Sequence, residues 1–314
     1  MDQAVKVAVV QAASVFFDLE KSIAKAIALI EEAAAAGASL ALFPEAFLGT
    51  YPRGLSFGAA VGSRTPEGRQ LWEAYYRNTV DLDGPSLQPL QAAIARAGLF
   101  VAMGAIERGH IDGSLYCSLL YFAPDGRLLG SHRKLKPTGT ERVIWGEGDG
   151  RGLIGLRTAF GRISGLICWE NLMPAARMAL YRRGVDLYLA PTADSRAAWQ
   201  HSLRHIALEG RCFVLGCNQY YRGTDYPEAL RAAVSAEGQV DCRGGSVIVG
   251  PDGEALVGPL WDQEGILYAD LDPSLLLRSY LDFDPIGHYH RPDVFHFDAP
   301  AQPEWIDCRG EEQG

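Results

Sequence analysis

An α/β fold is predicted, on three observations: strand-like and helix-like runs alternate along the chain, the strand-like runs are continuously apolar, and one strand-helix-strand unit recurs. Residues 5–11 form a β-branched apolar run. Residues 22–36 carry helix formers with Ile23, Ala26, Ile27 and Ile30 on one face, and residues 40–43 return to strand. The unit recurs as strand 162–167, helix 174–183 with Met178 and Tyr181 on one face, and strand 186–190. Laid together, Gly37, Leu40, Leu42 and Pro44 fall at the same offsets as Gly184, Leu187, Leu189 and Pro191. Two readings stay open: internal βαβ pseudo-symmetry, or generic punctuation in which Gly ends a helix and Pro ends a strand. In the first, Glu45 aligns with Thr192, and the strand closing at Gln11 matches the one closing near Cys168. Both strand ends then face one cleft.

Between these units, residues 71–77 and 87–97 are expected to be helical, and 99–104, 115–122 and 127–132 to be strands. The last two are joined by the turn Ala123-Pro124-Asp125-Gly126. A helix over 197–209, a strand over 213–216, and strands around 246–249 and 265–269 complete the order, with a second Pro-Asp-Gly turn at 251–253. Residues 219–243 are the longest irregular stretch, of the kind used as a lid or an interaction surface. Continuously apolar strands suit sheets covered on both faces, either two sheets with helices outside or one larger sheet.

The 314 residues fit about two domains, or one large α/β unit. With 48% hydrophobic and 21% charged residues, the chain reads as a soluble globular protein with a full core. The net charge of -9 disfavours nucleic acid and anionic membrane as partners. The N-terminus enters a strand pattern without the basic start of a signal peptide, and no segment is long and apolar enough to span a bilayer. The six cysteines, at 117, 168, 212, 217, 242 and 308, contain no C-x-x-C pair, which suits a reducing cytoplasm. His288 and His290 alternate like metal ligands but have no third partner at useful spacing, so a structural role and no metal are expected.

Three stretches carry candidate chemistry: Phe43-Pro44-Glu45-Ala46-Phe47, His132-Arg133-Lys134-Leu135-Lys136-Pro137, and Gly165-Leu166-Ile167-Cys168-Trp169-Glu170-Asn171. Each follows a strand-like run, which brings a carboxylate, an ammonium and a thiol to strand ends, where open α/β sheets place their sites. Taken singly, each residue has a plainer reading. A buried cysteine is ordinarily a small core residue, which is the reading for Cys117, Cys212, Cys217, Cys242 and Cys308. Glu45 after Pro44 could cap a helix, and Lys134 could be a surface charge beside Arg133 and Lys136.

In this order and with these flanks, the segments closely resemble the nitrilase superfamily of carbon-nitrogen hydrolases over roughly residues 5–297. The resemblance implies a four-layer αββα sandwich over residues 1–298, with 299–314 as a short C-terminal tail. It also implies Cys168 as nucleophile, Glu45 as general base and Lys134 stabilising charge, with no metal or organic cofactor. Residues 138–150 are similar to the segment that nitrilases carry after the lysine, which maps a second glutamate onto Glu141. Residues 48–54 and 287–293 resemble further nitrilase signatures, and the Trp169 that follows the cysteine favours nitriles over amides. The implied substrate is a small organic nitrile, aliphatic or arylaliphatic, and the loop at 49–54 points to plant-type relatives that take β-cyanoalanine.

Loops after strand ends should line the pocket, so Tyr51, Trp145, Trp169, Thr192 and Trp199 are expected substrate contacts. His132, two before Lys134, points the same way on a strand, to touch substrate or to support the lysine. A homo-oligomer, dimer or larger, is implied, without the long tail of filament-forming relatives because only about 17 residues follow Phe297. Three alternatives remain: an amidase or carbamoylase using the same residues, a non-catalytic assembly subunit, and a thiol-redox protein pairing Cys168 with Cys212 or Cys217.

Overall fold

Apolar runs need cover on both faces, and the chain supplies it with two stacked sheets. The computed structural model describes residues 4–111, 113–236, 241–297 and 305–309. The first sheet takes β1 (Val5–Gln11), β2 (Leu40–Leu42), β3 (Phe100–Arg108), β4 (Leu115–Phe122) and β5 (Leu128–Arg133). The second takes β6 (Leu156–Thr158), β7 (Gly161–Gly165), β8 (Leu187–Thr192), β9 (Phe213–Asn218), β10 (Cys242–Val249) and β11 (Ala255–Trp261). The last long strand, β12 (Gly265–Leu271), returns to the first sheet and pairs antiparallel with β1.

Helix α1 (Leu19–Ala35) joins β1 to β2, α2 (Pro66–Arg77) and α3 (Gln88–Ala97) precede β3, α4 (Pro174–Tyr181) joins β7 to β8, and α5 (Trp199–Gly210) joins β8 to β9. Strands β1, β2 and β3 are parallel neighbours, and so are β7, β8 and β9. Each sheet therefore holds one βαβαβ unit, which is the pseudo-symmetry that the matched Gly, Leu and Pro offsets suggested. Three apolar clusters fill the layers. One joins the inner faces of both sheets, with Val7, Leu42, Tyr121, Leu189 and Leu215 in contact across the gap. A second packs Ile23, Ala26 and Ile30 of α1 and Ile94 of α3 on the outer face of the first sheet. The third packs Leu180 of α4 and Leu203 of α5 on the outer face of the second. The result is an αββα sandwich.

Several elements differ from the expectation. Helix α1 starts a turn early because Asp18 caps it, accepting from the Lys21 N–H at 3.0 Å. The stretch 219–243 is partly regular: Tyr220–Tyr221 pairs with β10, and residues Glu228–Ala236 form helix α6. Strand β6, only three residues long, and β11, interrupted by Pro259, gave too little alternation to be read. Part of the segment read as a tail is a strand, because Ile306–Asp307 pairs parallel with β6. No helix among the described residues is long and apolar enough to cross a membrane.

Candidate active site

Glu45 lies in the loop after β2, which is pinned to β3 on both sides. The Phe43 N–H donates to the Ala102 carbonyl at 2.8 Å and the Leu48 N–H to the Gly104 carbonyl at 3.0 Å. Gly104 is required by the close approach, since a Cβ there would stand 2.0 Å from the Pro44 carbonyl oxygen. Lys134 directly follows β5, and its backbone N–H extends the ladder to the Cys117 carbonyl at 2.7 Å. On the second sheet, β7 ends at Gly165 and Cys168 opens the turn Cys168–Leu172 in the left-handed region, at φ 52°. That backbone is costly for a non-glycine residue and persists only where its surroundings hold it. Here Asn171 Nδ2 donates to the Leu166 carbonyl at 2.9 Å and to the Cys168 carbonyl at 2.8 Å.

These ends converge in a buried charge cluster. Lys134 Nζ donates to Glu45 Oε1 and to Glu141 Oε2, each at 2.7 Å, and the Lys134 and Glu45 side chains are fully buried. Tyr51 donates its hydroxyl to Glu141 Oε1 at 2.6 Å, and the Thr138 N–H donates to Oε2 at 2.6 Å. Thr192 Oγ1 donates to Cys168 Sγ at 3.2 Å. One ammonium thus faces two carboxylates, so the cluster resists a further negative charge. Burial pushes the Cys168 thiol up to about 12, with Glu45 adding to the shift and Lys134 opposing it. Burial likewise raises the Glu45 carboxyl, against the pull of Lys134. For Lys134 itself burial acts downward, but Glu45 and Cys168 outweigh it and hold the ammonium well above its ordinary value.

A cavity of about 360 Å³ reaches this cluster from the loop at 51–56, and Glu141, Ile144 and Trp145 form its other wall. The Tyr51 and Trp145 rings meet edge to face at 5.7 Å, and Lys134 Nζ lies 5.8 Å from the centre of the Trp145 ring. This volume suits a small organic molecule.

The expected contacts divide. Tyr51, Glu141 and Trp145 line the cavity, and Thr192 touches the thiol. His132 is held by Glu170, with Nε2 at 3.1 Å from Oε2, so it faces the second sheet's turn. Trp169 is partly exposed, donating to Asp194 Oδ2 at 2.9 Å with Arg196 over its ring. Trp199 is packed in the outer core between α5 and the second sheet. Sequence reasoning missed four residues at the site. Cys117, read as a core residue, directs Sγ at Glu45 Oε1 at 3.5 Å. Gln219 Nε2 donates to the Glu45 carbonyl at 2.7 Å, and Glu170 and Asn171 brace the turn that holds the thiol. Glu170 and Asn171 sit inside the quoted Cys-Trp-Glu-Asn run, so a signal for them was present. Among the described residues no cluster of side chains is arranged to hold a metal.

The carbon-nitrogen hydrolase family model matches residues 6–278. The chain is 49% identical to an aliphatic nitrilase of Sinorhizobium fredii, over 95% of this chain and 96% of that one. It is 45% identical to a bifunctional nitrilase/nitrile hydratase of Lupinus angustifolius, over 95% and 88%. Among solved structures, the carbon-nitrogen hydrolase of Helicobacter pylori shares the fold at a TM-score of 0.73 and 21% identity, covering 93% of this chain and 97% of that one. Yeast Nit3 does so at 0.71 and 20%, over 92% and 97%. The chain belongs to the carbon-nitrogen hydrolase family and, by these relatives, to its nitrilase branch.

Proposed function

We propose that the protein hydrolyses a small organic nitrile, aliphatic or arylaliphatic, to the carboxylic acid and ammonia, with Cys168 as nucleophile. The observation that carries this reading is the buried Lys134 ammonium bonded to both Glu45 and Glu141, beside a thiol held on a strained turn. A thiol raised by burial stays protonated until it attacks, so its proton has to leave as the bond forms. Glu45, whose own affinity for protons burial increases, is the acceptor.

Sγ adds to the nitrile carbon, and the nitrogen takes up a proton to give a thioimidate. Water, deprotonated by Glu45, adds next, and the C–N bond breaks to release ammonia and leave a thioester. A second water completes hydrolysis to the acid. Lys134 stabilises each anionic passage, a contribution worth several kcal/mol in a site out of water. Glu141 orients the ammonium, and Tyr51, Trp145 and Thr192 border the substrate.

The test is ammonia and acid release from purified protein on a panel including phenylacetonitrile, 3-phenylpropionitrile, fumaronitrile and β-cyanoalanine, with the matching amides alongside. Turnover of amides alone would make the protein an amidase or carbamoylase instead. Cys168→Ala should abolish ammonia release with the fold intact, and near-normal turnover in that variant would remove the proposed nucleophile.

Residues 1–298 are assigned to one hydrolase domain, to which residues 306–307 return as an edge strand. A homo-oligomer fits the exposed Tyr289, Val294 and Phe295, and a cytoplasmic setting suits six buried cysteines with no disulfide among the described residues. Light scattering on the purified protein measures the first.

A further inference from the structure

Glu170 lies two residues past the thiol, with its side chain wholly out of solvent. Its two oxygens are committed in different directions. Oε2 accepts at 2.7 Å from the backbone N–H of Ile167, the residue before Cys168. Oε1 accepts at 2.6 Å from the backbone N–H of Leu135, the residue after Lys134. His132, two before Lys134, places Nε2 at 3.2 and 3.1 Å from the same two oxygens. One carboxylate therefore grips both flanks of the lysine and the entry to the turn where Cys168 stands at φ 52°. A buried carboxylate gives up its hydration and persists where both oxygens are bound. Backbone N–H donors are the partners with the least freedom to move.

We propose that Glu170 is a positioning residue that sets the distance between the Lys134 ammonium and the Cys168 thiol, an inference that rests on the nitrile-hydrolysing reading of the site. It touches no reacting atom. It acts through the two backbone segments that carry those atoms, and His132 steadies it from the side.

Glutamine cannot substitute. Each carboxylate oxygen takes a different backbone N–H, whereas an amide has one acceptor oxygen and would turn its NH2 toward the other donor. A misplacement of roughly 1 Å costs about 100-fold in rate. Product choice should shift as well. The tetrahedral carbon carrying Sγ, a hydroxyl and an amino group has two exits. With a proton delivered to nitrogen, the C–N bond breaks, ammonia leaves and a thioester remains. Without that proton, the C–S bond breaks, the sulfur leaves with the electron pair and an amide is released. A displaced ammonium and its carboxylates deliver the proton less often, so the amide share rises.

Glu170→Gln is compared with wild type in the full-length chain, on whichever nitrile of the panel the wild type hydrolyses fastest. Ammonia, acid and amide are all quantified, and turnover is divided by the folded fraction from near-ultraviolet circular dichroism. The expected result is a kcat per folded molecule down about 100-fold, KM changed less than about threefold, and an amide share raised about threefold or more. His132→Leu leaves both backbone donors on Glu170 and should lose about threefold to tenfold in kcat per folded molecule, with a smaller rise in amide, and an unchanged kcat and amide share would count against the proposal. A loss that vanishes on correction for the folded fraction, with the amide share unmoved, would overturn the proposal, since it would mark a purely structural role. If Glu170→Gln does not fold, His132→Leu decides by the same two readouts. Wild-type silence on every nitrile would bring down the reading of the site and this inference with it. Wild-type turnover with an unperturbed Glu170→Gln would sink the inference alone.

Discussion

Gly104→Ala probes whether Glu45 is placed by backbone contact. A Cβ on residue 104 would lie 2.0 Å from the Pro44 carbonyl oxygen and 2.8 Å from Glu45 Cα. Ordinary van der Waals contact begins at 3.4 Å, so the Pro44–Glu45 backbone has to retreat by about 1.4 Å, the difference between the two distances. Neither neighbour is a flexible side-chain end. The bonds from Phe43 to Ala102 and from Leu48 to Gly104 hold the loop on both sides and oppose the retreat. A shift of that size stretches the 2.7 Å bond between Lys134 Nζ and Glu45 Oε1 beyond hydrogen-bonding range. Overpacking of this kind costs about 1–3 kcal/mol of stability, and an error of about 1 Å at a reacting group costs about 100-fold in rate. Steady-state ammonia release and urea unfolding measure the two effects. The expected result is a lower kcat at nearly constant KM, with a modest loss of stability. A variant within about threefold of wild type in kcat, and within about 0.5 kcal/mol in stability, would refute the argument that this contact places Glu45.

Three further outcomes are expected. Because the Cys168 thiol is pushed up to about 12, its thiolate fraction grows with pH throughout the working range, and iodoacetamide labelling of Cys168 should rise about tenfold per pH unit from about pH 7 to 10; a plateau below about pH 9, read by peptide mass spectrometry, would contradict it. Lys134→Met leaves Glu45 and Glu141 facing each other without a cation and should cost about 3–5 kcal/mol at neutral pH. The sign of its pH dependence follows from Glu45: burial already raises its carboxyl, and the variant removes the Lys134 charge that opposes the rise, so protonating Glu45 relieves the folded state and the deficit in urea unfolding should shrink as pH falls; a deficit that grew would contradict this. Tyr51→Phe removes the 2.6 Å donor to Glu141 and should lower kcat about tenfold, with unaltered kinetics as the contrary result.

Much of this architecture was legible in the sequence because strand ends and chemistry coincide. Glu45, Lys134 and Cys168 each follow a strand-like run, and an ordered triplet within specific flanks carries more information than any of its members. The periodicity of Ile23, Ala26 and Ile30 likewise identified α1, since a helix packed on a sheet must repeat its apolar face. What stayed hidden depends on which way a side chain turns after its strand ends. Trp199 begins a helix that crosses the outer face of the second sheet, so its ring enters the outer core although its loop starts near the thiol. Cys117 carries no motif of its own, and its closeness to Glu45 comes from the pairing of β4 with β3, the strand on which the loop beyond β2 is pinned. Gly104 reads as an interruption in a strand, and the backbone it admits lies 60 positions earlier in the chain. Strand β11 and helix α6 were missed because Pro259 and the short run at 228–236 weaken the local pattern that tertiary contacts complete.

The site straddles a seam. Glu45 and Lys134 travel with the first sheet, whereas Cys168 and Thr192 travel with the second, and the layer between them is largely apolar. Apolar contact resists separation but hardly resists sliding, because it has no direction. Alignment along the seam falls to polar bolts such as Gln219 to the Glu45 carbonyl, Cys217 Sγ to the Val10 carbonyl, the Ser246 N–H to Gln11 Oε1, and the Leu135 N–H to Glu170 Oε1. Turnover is then a gauge of registration between two slabs, and under rising denaturant or pressure it should fade while the secondary structure of both slabs is still intact.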